Sequence, residues 1–367
     1  MISSFVTFIL CFKQAKGIDI IMEKKLAVVY PSIAPAPIVA DLLSVLETTP
    51  TTNGWICNNF KQMVYIRDHL GIEYRSLGIL IEQQPRDNNT IFSELPMLKF
   101  SKIKKEILNI LCKSFVKFLE NCIEQEHYIR VPLNQKFISS YNKNNDFMHP
   151  FFFYGYNNDK QIFYIADFHS GKKYTFSILS YKDVEEAYMN SIKSETTMTE
   201  YYDDVCLFRF DSNNIDIQID PKQIYEKLSD FINCIDSTCK YKNSERWRNC
   251  SFFYGLDYFD ELIKDISCRN ANTRSIHVLA DFYKINLITI HSLFTNHIIT
   301  DESNYKDLSE SYKNCYNTAL IIRNKYLKNM ILNDNNERIT RYLMELKEMS
   351  SIATKKFLVT LGKICET

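Results

Sequence analysis

Residues 149–167 constrain the fold more than any other stretch of this 367-residue chain. His149-Pro150-Phe151-Phe152-Phe153-Tyr154-Gly155-Tyr156 and Gln161-Ile162-Phe163-Tyr164-Ile165-Ala166-Asp167 are apolar, aromatic-rich runs, separated by the polar turn Asn157-Asn158-Asp159-Lys160. Such runs suit a pleated, half-buried surface, and a short polar break between two of them signals a β-hairpin. A hairpin brings its far ends together, so His149 and Asp167 become candidate neighbours. Register decides whether they meet. A three-residue loop at 157–159 sets His149 opposite Asp167; a two- or four-residue loop sets Phe168 there and turns Asp167 to the other face. The turn residues tolerate positive φ and leave both choices open. A paired histidine and carboxylate suggest an oriented general base, and such a pair still needs a nucleophile.

The chain is long enough for two domains with their own cores. Its 44 basic and 44 acidic residues cancel, so no general attraction to nucleic acid or to an anionic membrane is expected. Only 8 glycines occur, and none falls in a dinucleotide-binding, P-loop or nucleophile-elbow pattern. Those chemistries are set aside and no cofactor is expected. Cys234, Cys239, Cys250 and Cys268 match no common zinc spacing, so no metal site is expected either. Eleven cysteines without framework spacing point to a reducing cytoplasm. Met1–Phe12 is apolar but lacks a basic flank and a cleavage site, and Met22-Glu23-Lys24-Lys25 looks like a start. Residues 1–21 therefore read as a start-site extension or loosely packed tail.

Apolar spacing predicts helices over Ile38–Glu47, Trp55–Leu70 and Ser101–Cys122, the last with Ile103, Ile107, Leu111, Phe115 and Phe118 on one stripe. Cys57 falls in or just before the first turn of the second helix, where free N–H groups and the macrodipole favour a thiolate. His127–Leu133 and Lys173–Ile178 read as strands, and Ser180–Ser191 as a serine-capped helix. Past a strand at Val205–Phe210 nearly everything reads as helix: Pro221–Ile235, Tyr258–Ile266, Ser275–Phe294, Tyr305–Leu332 and Asn336–Ile364. The fold class is α+β. Cys112 and Cys122 lie on or at the end of an apolar stripe, where packing is the default role. His169 is a rival to His149 if the register differs. His277 and His291 read as packed or surface histidines.

The stretch from His127 to Tyr188 resembles the butirosin-biosynthesis-protein-H-like family, papain-fold proteins found with antibiotic and non-ribosomal peptide assembly genes. The likeness rests on the hairpin with its histidine and aspartate, on Leu179-Ser180-Tyr181-Lys182-Asp183, and on Ala187-Tyr188. Further similarity lies in Phe253-Tyr254-Gly255-Leu256 and in Arg274-Ser275-Ile276-His277-Val278-Leu279; it covers about residues 25–360. The resemblance implies a papain-like domain over 22–200 and a mainly helical domain over 205–367. It also implies a Cys–His–Asp triad that takes an acyl group from an acyl or peptidyl carrier protein thioester and passes it to a small amine. Carried onto this chain, Cys57 is the nucleophile, His149 the base, Asp167 its orienter and Asn53 an oxyanion donor. Many relatives place the cysteine before the first helix, which here falls at Ser32–Pro37 and holds none. Others carry a pattern similar to Leu42–Leu46 and Trp55…Asn59-Phe60-Lys61-Gln62 with no obvious nucleophile. Cys57 is thus either catalytic or a core thiol, and a silent scaffold, a cysteine peptidase or a thioesterase stand beside the acyltransferase.

Overall fold

A computed structural model describes residues 22–68, 95–141, 144, 146–168, 173–192, 204–211, 217–236, 250–268, 271, 273–332 and 335–366. The expected N-terminal tail at 1–21, His169, Cys239 and the polar stretch 193–203 lie outside them. Among the described residues nine strands occur: β1 (Glu23–Lys25), β2 (Val64–Asp68), β3 (Leu98–Lys104), β4 (Tyr128–Asn134), β5 (Met148–Asn157), β6 (Ile162–Phe168), β7 (Tyr174–Ser180), β8 (Asp204–Phe210) and β9 (Cys250–Tyr254). The first half adds helices α1 (Pro37–Leu46), α2 (Asn53–Asn58), α3 (Lys105–Leu111), α4 (Phe115–Glu124) and α5 (Tyr181–Ile192). The second half adds α6 (Pro221–Ile232), α7 (Asp257–Ser267), α8 (Thr273–Thr295), α9 (Glu302–Leu332) and α10 (Glu337–Glu366).

Seven strands form one antiparallel sheet in the order β3-β8-β4-β5-β6-β7, and β1 pairs with the far half of β5. Strand alternation sends Phe151 and Phe153 to one face, under α4 and α5, where they join Val131, Leu133, Ile165 and Leu207. Phe152 and Ala166 point the other way, into a larger core shared with α1, Ile56, Phe60 and the helices of the second half. Both faces are thus covered, which is why β4 and β5 read as near-continuous apolar runs. β2 and β9 make a separate two-stranded sheet beside α7.

Two expected helices are corrected. The helix read over Ser101–Cys122 is strand β3, then α3, then α4, which starts at a Ser114 cap. In β3 only Ile103 of 100–104 is buried, a single apolar position that a helical stripe also fits. The helix read over Trp55–Leu70 ends at Asn58. Phe60 then takes φ 60°, a left-handed conformation costly for an aromatic residue, and the chain turns into β2. The proposed boundary near 200 does not divide the core: β8 lies between β3 and β4, and β2 pairs with β9 across the halves. Among the described residues, no helix is long and apolar enough to cross a membrane.

Candidate functional site

The hairpin forms with a four-residue loop, Asn158–Gln161, closed by Gln161 at φ 52°. Near the turn Asn157 pairs with Ile162 and Gly155 with Tyr164, a register that would send Asp167 away from His149. Tyr154 is an extra residue: beyond it Phe153 pairs with Ile165 and Phe152 with Ala166. This bulge shifts the register by one and returns Asp167 to the face of His149. The bulge sits where β5 changes partner from β4 to β1, and Gly155 accommodates the approach. A Cβ there would lie 2.6 Å from the Lys24 carbonyl oxygen.

His149 Nε2 lies 2.6 Å from Asp167 Oδ1. A carboxylate only accepts, so Nε2 carries a proton, and in the neutral imidazole Nδ1 keeps the lone pair. Nδ1 makes no hydrogen bond among the described residues. The histidine side chain is 17% exposed, and that of Asp167 1%. The imidazole stands edge-on to Phe151 at 5.8 Å and runs nearly parallel to the half-exposed Phe147 at 6.1 Å. Tyr141 donates its hydroxyl to Asp167 Oδ2. Burial first, and then the negative charge of Asp167, push the Tyr141 phenol above its ordinary range.

Tyr141 arrives on the loop between β4 and β5, which Asn134 staples at its root. The Asn134 amide donates to Asp146 Oδ1 at 2.8 Å, and its oxygen accepts from the backbone of Lys136 and Phe147. Ser139 Oγ donates to Asp183 of α5 at 2.9 Å, fixing the loop from the other side.

The triad carried over from the resemblance is not assembled. Cys57 is the fifth of six residues in α2, not at its start, so the amino-terminal dipole argument does not apply to it. It is fully buried, and its thiol faces Asn53 Oδ1 at 3.6 Å. Asn53 in turn donates to Ser292 Oγ at 3.1 Å, a structural bridge from α2 to α8 rather than an open oxyanion donor. Ile56 and Phe60 on either side of Cys57 belong to the core on the α1 face, whereas His149 packs with Phe151 on the α4 face. Among the described residues no hydrogen bond joins Cys57 to His149. Cys122 is buried in α4, where burial holds its thiol far above the usual range. His291 Nδ1 meets the Tyr305 hydroxyl at 3.2 Å, and no metal-holding group of three side chains occurs among the described residues.

A second polar group lies on the opposite face. Arg130 Nε donates to Asp41 Oδ2 at 3.1 Å, and the Tyr174 hydroxyl donates to Asp41 Oδ1 at 3.0 Å. Burial pushes Asp41 up to about 7, against the opposing pull of Arg130 and Tyr174. Sequence reasoning missed this network, although Arg130 stands alone in an apolar strand and so demands a buried acid. Tyr141 was missed too, since a tyrosine in a polar loop carries no periodic signal.

No protein-family model matches the chain, and no curated protein matches it.

Proposed function

We propose that this protein forms amides or transfers acyl groups in secondary-metabolite assembly, with His149 and Asp167 as a general-base pair that acts on the acceptor directly. The single observation behind the chemistry is the 2.6 Å contact to a buried aspartate, which leaves the other imidazole nitrogen as an acceptor. The substrate class rests on the family resemblance. Nδ1 takes a proton from a neutral amine as its nitrogen attacks the carbonyl of a carrier-bound thioester. The C–N bond forms, the C–S bond breaks, and the proton passes to the departing thiolate. No protein thiol enters this scheme, consistent with a sealed Cys57.

A second reading, a papain-like partner protein without chemistry, is favoured by one observation. The cysteine offered by the sequence is enclosed, and the stretch Ser32–Pro37 just before α1 holds none. Incubation with an acyl-loaded carrier protein and an amine, followed by intact-mass and product analysis, separates the two. Amide product that is lost in His149→Ala and kept in Cys57→Ala supports direct general-base transfer. A covalent acyl adduct on Cys57 returns the thiol route. Carrier binding without product or adduct establishes the partner reading.

A further inference from the structure

The carboxylate of Asp167 has two oxygens and two donors. Oδ1 faces His149 Nε2 and Oδ2 accepts from the Tyr141 hydroxyl. A buried carboxylate with one oxygen unsatisfied is costly, so a second donor is expected wherever such a group is kept charged. The torsion that turns a carboxylate about its last bond is broad and two-fold, so one hydrogen bond alone does not fix which oxygen meets the imidazole. The second hydrogen bond supplies that constraint.

We infer that Tyr141 is a positioning residue for the His149–Asp167 pair: by holding Asp167 Oδ2 it fixes the carboxylate plane and, through it, the protonated nitrogen of His149. The inference rests on the general-base reading of that pair for its importance, not for its geometry. The tyrosine is itself held in place, since its ring stands edge-on to Phe151 at 5.4 Å. The loop that carries it is tied to Asn134 at one end and to Asp183 through Ser139. Phe151 touches both rings, so Tyr141, Phe151 and His149 form one packed row beside Asp167. The arrangement applies a general rule: a third group orients the group that orients the base.

Tyr141→Phe removes the hydroxyl and leaves the ring packing. In the wild-type chain, nitrogen NMR of His149 at a pH where the imidazole is neutral should show a single form with the proton on Nε2. In Tyr141→Phe a substantial fraction, about a fifth or more, should move to the Nδ1-protonated form. An unchanged single tautomer in a folded Tyr141→Phe variant overturns the inference. If that variant does not fold, alkaline titration of Tyr141 by NMR serves instead, comparing wild type with Asp167→Asn. Ionisation at distinctly lower pH in Asp167→Asn upholds the contact, and an unchanged titration removes it. Neither readout needs turnover. Retained turnover in His149→Ala would therefore sink the general-base reading while leaving the tautomer result to decide the role of Tyr141.

Discussion

His149 and Asp167 meet along a diagonal of the sheet, two residues out of step, rather than across one rung. Phe152 pairs with Ala166, so Asp167 falls level with Phe151, and His149 lies one same-face position further on. Diagonal neighbours are still within reach of long or aromatic side chains, and an imidazole bridges the gap to a carboxylate at 2.6 Å. The contact exists only because Tyr154 is inserted between the turn and the pair.

Removal of the pair should be severe for turnover and mild for the fold. His149→Ala and Asp167→Asn are each expected to lower the amide-forming rate by about 10²- to 10⁴-fold, the range for loss of a positioned acid–base group. Circular dichroism melts should show both variants folded. A rate within threefold of wild type for Asp167→Asn would remove it from the site.

Cys57→Ala should behave in the opposite way. The thiol is fully enclosed, so its loss leaves a small cavity and should cost about 1 kcal/mol of stability, with turnover unchanged. Urea unfolding and steady-state rates measured side by side test this.

Gly155→Ala should destabilise through β1. The added Cβ would meet the Lys24 carbonyl oxygen at 2.6 Å, so the short β1–β5 ladder must shift. A loss of about 1–3 kcal/mol is expected in urea midpoints, the usual range for overpacking. Faster amide exchange confined to residues 23–25 and 155–157 would locate the damage.

Asp41 should give stability a pH dependence of known sign. Its carboxyl, ordinarily near 3.8, is pushed up to about 7 in the folded chain by burial. The folded state therefore holds this proton more tightly than the unfolded state. Its contribution is full below about pH 4 and is lost as pH rises through 7. Asp41→Asn cannot titrate. The stability of wild type relative to Asp41→Asn should fall between pH 4 and 8, by on the order of 4 kcal/mol. Parallel urea midpoints across that range would refute the assignment.

The hairpin, the strands flanking it and the long helices of the second half were legible because each carries a sustained pattern. Ser180, for example, was read as a cap, and its Oγ accepts from Asp183 N at 3.0 Å. The failures have local causes. Ile103, Ile107 and Leu111 satisfy a helical stripe, yet the backbone changes from strand to helix between Lys104 and Lys105 without a glycine or proline to mark it. The end of α2 rests on Phe60 in a conformation that its side chain gives no hint of. Cys57 falls in or before the first turn only of a helix that opens at Trp55; the helix opens at Asn53, and Thr52 does not cap it, since its hydroxyl binds the carbonyls of Leu46 and Thr49. The bulge at Tyr154 had no residue signature, and parity of register depends on it.

The position of β8 has a consequence for how the chain is made. β4 lies between β5 and β8, and β8 is the last of the sheet strands to leave the ribosome. For several seconds, at roughly 5–20 residues per second, the nascent sheet presents the apolar edge of β4 with its hydrogen-bonding groups unpaired. During that interval the growing chain is a template for another copy of itself. A heat-shocked or crowded cell should therefore lose this protein to co-translational aggregation, and peptides that mimic Asp204–Phe210 should block that loss by filling the edge early.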